Sequence, residues 1–295
     1  MKALLFGAIL LAALPARAQI EIGGGRIEVE FTSQKTGVPR DIILAWIETA
    51  ARAVTKYYGR YPVPHLTVRV APFDGHGIRS GKTFGQGDGG LITISVGRST
   101  SREDFEADWL MTHEMVHLAF PSVAQRHHWI EEGLATYVEP IARVRLGTLR
   151  AEKVWGDVVR DLPQGLPEAG DRGLDFTHTW GRTYWGGALF CLLADVEIHR
   201  RTANRKGLED ALRGILAAGG SISADWDLQR ALKAGDKATG VPVLQELYGQ
   251  MRAAPHPVDL ENLWRQLGIE RQGRAVILVD DAPLAAMRRA IMSGQ

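Results

Sequence analysis

Trp109–Tyr137 reads WLMTHEMVHLAFPSVAQRHHWIEEGLATY, and this stretch decides the fold. It contains His113-Glu114-Met115-Val116-His117, with Glu132 fifteen residues after the second histidine. On a helix, residues four apart sit one turn apart on one face, so His113 and His117 project side by side. Two imidazoles at that spacing grip one zinc ion while Glu114 points at the water the metal activates. The motif lies among Trp109, Met115, Val116 and Phe120, an apolar setting in which two histidines and a glutamate are costly to bury without shared partners.

A zinc ion that does chemistry takes three protein ligands and keeps one position open. Downstream, His127, His128, Glu131, Glu132 and Glu139 are candidates for the third. His127 follows His117 by ten residues, but Leu118–Pro121 contains no glycine, so the glycine turn of metzincins is missing.

Upstream of the motif, Ser101 and Asp104 have the spacing of a capping box, and Glu103, Asp104 and Glu106 suit the positive end of a helix. One helix is expected from Ser101 to Pro121. Before it, Gln19–Phe31 alternates as a strand or hairpin around Ile20, Ile22, Ile27, Val29 and Phe31, interrupted by Gly23-Gly24-Gly25. Pro39 opens a helix whose apolar positions Ile43, Trp46, Ile47, Ala50, Val54 and Tyr57 recur at helical spacing. His65–Ala71 and Leu91–Val96 read as strands. Between them Pro72–Gly90, PFDGHGIRSGKTFGQGDGG, reads as a glycine-rich loop without the spacing of a phosphate-binding loop.

Downstream, a helix over His128–Leu146 carries Glu132. Asp161–Gly181 has no periodicity, and a loop of that length is usually a lid or a disordered segment. The rest reads as helices at Thr183–Arg200, Gly207–Leu216, Asp225–Lys233, Val241–Met251, Leu260–Leu267 and Ala282–Ile291, with a strand at Ala275–Val279.

The 295 residues are 45% hydrophobic, enough to fill a sizeable core. Lys2, the apolar run Ala3–Leu14 and Ala16-Arg17-Ala18 read as a secretory leader cleaved after Ala18, so the mature chain is expected outside the cytoplasm, periplasmic or extracellular. No later run is long enough to span a membrane. The formal charge of +1 offers no field for nucleic acid. Cys191 is the sole cysteine, so no internal disulfide forms, and its neighbours Leu189, Phe190, Leu192 and Leu193 mark it as a small core residue.

Trp129-x-x-Glu132-Gly133-x-Ala135-x-Tyr137 resembles the third-ligand helix of gluzincins, zinc peptidases whose metal is held by two histidines and a glutamate. That resemblance assigns one Zn2+ to His113, His117 and Glu132, with Glu114 as general base. Tyr184, in GRTYWGGALF, matches the Tyr-x-x-Gly that opens a helix in the aminopeptidase N-like and glycyl aminopeptidase families, where the phenol stabilises the oxyanion. TYWGGALFCLLADVEIHRRT followed by GLEDALRGIL is similar to the helical half of the glycyl aminopeptidase family, and the resemblance spans roughly residues 85–270. In these enzymes the strand before the zinc helix binds the substrate backbone by strand addition, a position matched here by Gly89, Gly90 and Leu91. Two departures concern specificity: Asp88 is the only acid near that strand, and Gly186 stands where the glycyl aminopeptidases carry lysine.

The expected fold is α+β and zincin-like. A mixed N-terminal sheet with a backing helix and the zinc helix, residues 19–121, precedes a mainly helical part, 122–295, that carries the third ligand. The expected activity is hydrolysis of a peptide or protein substrate. A scaffold protein that binds without turnover, or a zinc hydrolase of a non-peptide amide or ester, are the alternatives.

Overall fold

The structure, a computed structural model, describes residues 17–273 and 275–294. The expected leader falls outside this range except for Arg17 and Ala18, which pair with Glu30 and Val29 in the first hairpin.

A five-stranded mixed sheet forms the N-terminal layer. Its strands are β1 (Arg17–Ile22), β2 (Gly25–Phe31), β3 (His65–Phe73), β4 (Ile78–Gln86) and β5 (Gly89–Gly97), in the order β1-β2-β3-β5-β4. β2, β3 and β5 run parallel, while β1 and β4 lie antiparallel at the edges. Alternation sets the buried face: Ile27, Val29 and Phe31 on β2, Leu66, Val68 and Val70 on β3, and Ile92, Ile94 and Val96 on β5 are all core residues. Helix α1 (Arg40–Tyr58) buries Ile43, Trp46, Ile47, Ala50, Val54 and Tyr57, the stripe its periodicity predicts. Gly59 closes it in the left-handed conformation.

The expected glycine-rich loop is in large part a strand. β4 occupies Ile78–Gln86 and closes on β5 as an antiparallel hairpin with an irregularity between Arg79 and Lys82. The glycines permit close approach: a side chain at Gly81 would meet the Glu114 carboxylate 2.6 Å away, and one at Gly85 the Ile222 carbonyl, also at 2.6 Å.

The helix expected to run unbroken from Ser101 is two helices. α2 (Arg102–Ala107) is capped by the Ser101–Asp104 box, as its spacing predicts, and ends at an extended Asp108. Asp108 Oδ2 accepts from Trp46 Nε1 at 3.0 Å and from the Met111 amide at 3.1 Å, so it starts α3 (Leu110–His117) as well as stopping α2. The break redirects the chain into the core, where α3 meets α1 and α4 (His128–Leu146).

The remaining layer is helical: α5 (Ala151–Asp161), α6 (Gly187–Arg201), α7 (Leu208–Ala217), α8 (Leu228–Thr239), α9 (Val243–Met251), α10 (Leu260–Leu267) and α11 (Ala285–Ser293). β6 (Ile269–Gln272) and β7 (Ala275–Leu278) form a small hairpin; β6 has no alternating apolar pattern and was not expected. Among the described residues no helix is long and apolar enough to cross a membrane. Cys191 is buried, as its neighbours imply. This is the expected α+β, zincin-like architecture.

α4 and α6 cross at two glycines. A side chain on Gly187 would run into the Trp129 carbonyl, and one on Gly133 into the Gly187 backbone. Gly187→Ala gains helix propensity worth about 1 kcal/mol but forces overpacking that costs about 1–3 kcal/mol or more. The clash is with backbone that has no rotamer to change, so it wins. Thermal unfolding of this variant is expected at a temperature lower by several degrees, and an unchanged or raised midpoint would show the crossing to be looser than described.

Candidate metal centre

His113 and His117 are on α3, and Glu132 is on α4. One ligand atom from each lies within 4.8 Å of the others. His113 Nε2 is 3.2 Å and His117 Nε2 3.7 Å from the same oxygen, Glu132 Oε2. The two imidazoles meet edge to face, with centroids 5.0 Å apart. Two nitrogens and one carboxylate oxygen converging in this way match the donor set of a catalytic zinc site. Burial pushes His117 down to about 3, which keeps its imidazole neutral and its lone pair available. Burial works to raise Glu132, but the hydrogen bond to His113 and the polar environment of the surrounding imidazoles outweigh it and hold the carboxylate below its usual range.

The other candidate ligands lie elsewhere. His127 donates nothing to the triad: its Nδ1 is 2.9 Å from Asp175 Oδ1, in a buried network where Asp175 also accepts from Trp129 Nε1 and the Tyr248 hydroxyl. Glu131 faces His128 Nδ1 at 3.1 Å, and Glu139 pairs with Arg143 at 2.9 Å. His128, a candidate ligand by sequence, instead supports Glu132. Its Nε2 lies 3.3 Å from Glu132 Oε1, so it occupies the outer oxygen and leaves Oε2 for the triad. The i,i+4 spacing of His128 and Glu132 was the signal available for this contact.

Glu114 sits beside the triad with its carboxylate against the edge strand. Thr83 Oγ1 lies 2.6 Å from Glu114 Oε2 and 2.9 Å from the Glu114 carbonyl, within donating distance of both. Burial raises Glu114, and the Thr83 hydrogen bond only partly offsets this. Nothing in the spacing of a glycine-rich stretch marks Thr83 for the role.

Tyr184 lies in a single π-helical turn, Arg182–Gly186, that leads into α6. The widened turn and the Gly133–Gly187 crossing bring the phenol to the metal centre. Its ring stacks on His113 at 6.5 Å, and burial, followed by the charge of and hydrogen bond to Glu132, pushes its pKa up to about 12. It stays a protonated donor throughout the physiological range.

Gly89, Gly90 and Leu91 are not placed for strand addition. They pair with Gln86, Gly85 and Phe84 on β4, and Gly90 and Leu91 also pair with Leu66 and Thr67 on β3. β5 is an inner strand with both edges used. The open edge of the sheet next to Glu114 belongs to β4.

Comparison with protein-family models and with curated proteins finds no match. Solved structures do match. An aminopeptidase N family protein from Idiomarina loihiensis superposes with a TM-score of 0.64 at 12% identity, covering 87% of this chain and 50% of that one. An M1 zinc metallopeptidase from Deinococcus radiodurans gives 0.51 at 16% identity, covering 82% and 52%. A mutant of such an enzyme bound to a Tyr-Ser-Ala substrate gives 0.50 at 14% identity, covering 82% and 53%. The chain shares its fold with these zinc metallopeptidases. It spans about half the length of the solved structures it matches. The expected similarity to aminopeptidase N-like proteins therefore holds at the level of fold, while the narrower glycyl aminopeptidase assignment gains no support from these structures.

Proposed function

We propose that this protein is an exported zinc-dependent metallopeptidase. The observation that carries the reading is the convergence of two imidazole nitrogens and one carboxylate oxygen within 4.8 Å, with Glu114 and Tyr184 beside them. The shared fold supports it, and one of the matched structures holds a peptide substrate.

His113, His117 and Glu132 would hold one zinc ion, whose chemistry when bound would be Lewis acidity toward a scissile carbonyl and toward the attacking water. Glu114 takes the proton of that water and passes it to the leaving amine. Tyr184 donates its hydroxyl hydrogen to the oxygen on which negative charge develops. His128 fixes the Glu132 carboxylate, and Thr83 fixes that of Glu114. The open edge of β4 is the surface along which an extended peptide pairs, in place of Gly89–Leu91.

A mixed peptide library, free and N-acetylated, read by mass spectrometry with and without a chelator, tests the reading. Chelator-sensitive cleavage is expected; cleavage confined to free amino termini would make it an aminopeptidase, and internal cuts an endopeptidase. No cleavage of any peptide would refute it.

Thr83→Val keeps the shape of the side chain and removes its donor. A hydrogen bond to a charged group is worth about 1.5–3 kcal/mol, so kcat on a cleaved peptide is expected to fall roughly 10- to 100-fold, with Thr83→Ser recovering most of it. Equal activity of the valine variant would leave the contact without a catalytic consequence.

A further inference from the structure

We propose that the cavity beside the metal triad is a subsite for a large, uncharged aromatic side chain of the substrate, with Trp109 and Trp180 as its specificity-determining residues. The inference rests on the peptidase reading and deepens it by naming the side chain the site takes. The cavity measures about 670 Å³, and His113 and Tyr184 form part of its wall. A group seated there touches the residues that surround the scissile bond.

The walls are aromatic and open. Trp109 is 52% exposed and Trp180 60% exposed, among the largest apolar surfaces the chain leaves to solvent. Each is tied to the site by its ring: Trp180 stacks on Tyr184 at 5.5 Å and 27°, and Trp109 meets His113 edge-on at 5.3 Å and 88°. Exposed tryptophans gathered on the wall of a cleft mark a contact surface, whereas single scattered ones do not. The loop that presents Trp180 is anchored beneath it. Buried Arg182 pairs with Asp171 at 2.7 Å and donates to the Gly165 carbonyl, while its amide donates to Thr179 Oγ1 at 3.2 Å. The expected lid, Asp161–Gly181, is therefore an ordered support for an aromatic wall.

The charges around the cavity are already satisfied by one another. Asp157 takes Lys153 at 2.6 Å and Arg160 at 2.7 Å, Arg160 also pairs with Asp161, and Arg143 pairs with Glu139. An acidic substrate side chain finds no free cation among these groups. Glu106 stands at the rim with no ion pair among the described residues, which makes a basic side chain the competing occupant. A solvent-exposed carboxylate contributes little beside the burial of a whole ring between tryptophans, so the aromatic occupant is favoured.

The test uses five-residue alanine peptides carrying Phe, Ala, Lys or Glu at the centre, free and acetylated. Their binding to zinc-loaded Glu114→Gln protein is measured by calorimetry, and their cleavage by wild type is followed separately. The phenylalanine peptide is expected to bind at least 10-fold more tightly than the other three. Trp109→Ala and Trp180→Ala, each in the Glu114→Gln background, should remove most of that ratio, and Trp180→Phe should restore it. Equal binding of all four, preference for lysine, or a ratio that survives both alanine variants would overturn the subsite. Aromatic preference in binding without any cleavage by wild type would overturn the peptidase reading and leave the subsite standing; cleavage without aromatic preference would do the reverse.

Discussion

Glu114→Gln is expected to lower peptide turnover by about 10²- to 10⁴-fold while leaving the metal content unchanged. Glutamine has the size of glutamate and can still accept the Thr83 hydrogen bond, so the strand and helix around it need not move. What it loses is the ability to take a proton. Gly81 makes this substitution a clean one, because β4 lies against the carboxylate and leaves no room for a rearranged side chain to recruit a substitute base. A variant that retains more than a tenth of wild-type turnover would assign the base elsewhere.

The second large effect is on stability. The proposed metal ligands come from two helices: His113 and His117 from α3, Glu132 from α4. Glu132 Oε2 lies 3.2 Å from His113 and 3.7 Å from His117, and His128 holds the other carboxylate oxygen, so a metal ion would tie the two helices together at a preformed point. A metal that binds the folded state and not the unfolded one stabilises it by about 2.7 kcal/mol at one hundred times its dissociation constant. For a chain of this size that corresponds to a midpoint shift of roughly 4–5 °C. Addition of a chelator is expected to lower the melting temperature by that amount, and excess zinc to restore it. A midpoint indifferent to both would mean that the triad does not bind metal in the folded protein.

The histidine pair was legible in sequence because helical spacing alone puts His113 and His117 on one face. Glu132 needed the resemblance of its surroundings, and the structure supplies part of the reason for that resemblance. Gly133 and Gly187 are where α4 and α6 touch, so Glu-Gly and Tyr-x-x-Gly are two halves of one crossing. The apolar stripe of α1 and the strands around Val29, Val68 and Ile94 were legible for the ordinary reason that one face is buried.

What was not legible depended on contacts distant in sequence. Glycines at 81 and 85 read as loop because glycine weakens a strand, but they are present so that β4 can approach Glu114 and Ile222. Asp108 falls inside what reads as one unbroken helix, and only the contact with Trp46, sixty-two residues away, marks it as the extended residue that ends one helix and begins another. The π-helical turn at Arg182–Gly186 carries no periodicity of its own, and it sets the position of Tyr184. Gly89–Leu91 was assigned to substrate because β5 precedes the zinc helix; with β4 recognised as the edge, β5 becomes an inner strand.

The central claim is that His113, His117 and Glu132 hold one metal ion. Metal analysis of the purified protein by inductively coupled plasma mass spectrometry, on wild type, Glu114→Gln and His113→Ala, tests it most directly. About one zinc per chain is expected in the first two and almost none in the third. Absence of bound metal from all three after zinc loading, or full retention in His113→Ala, would contradict the account.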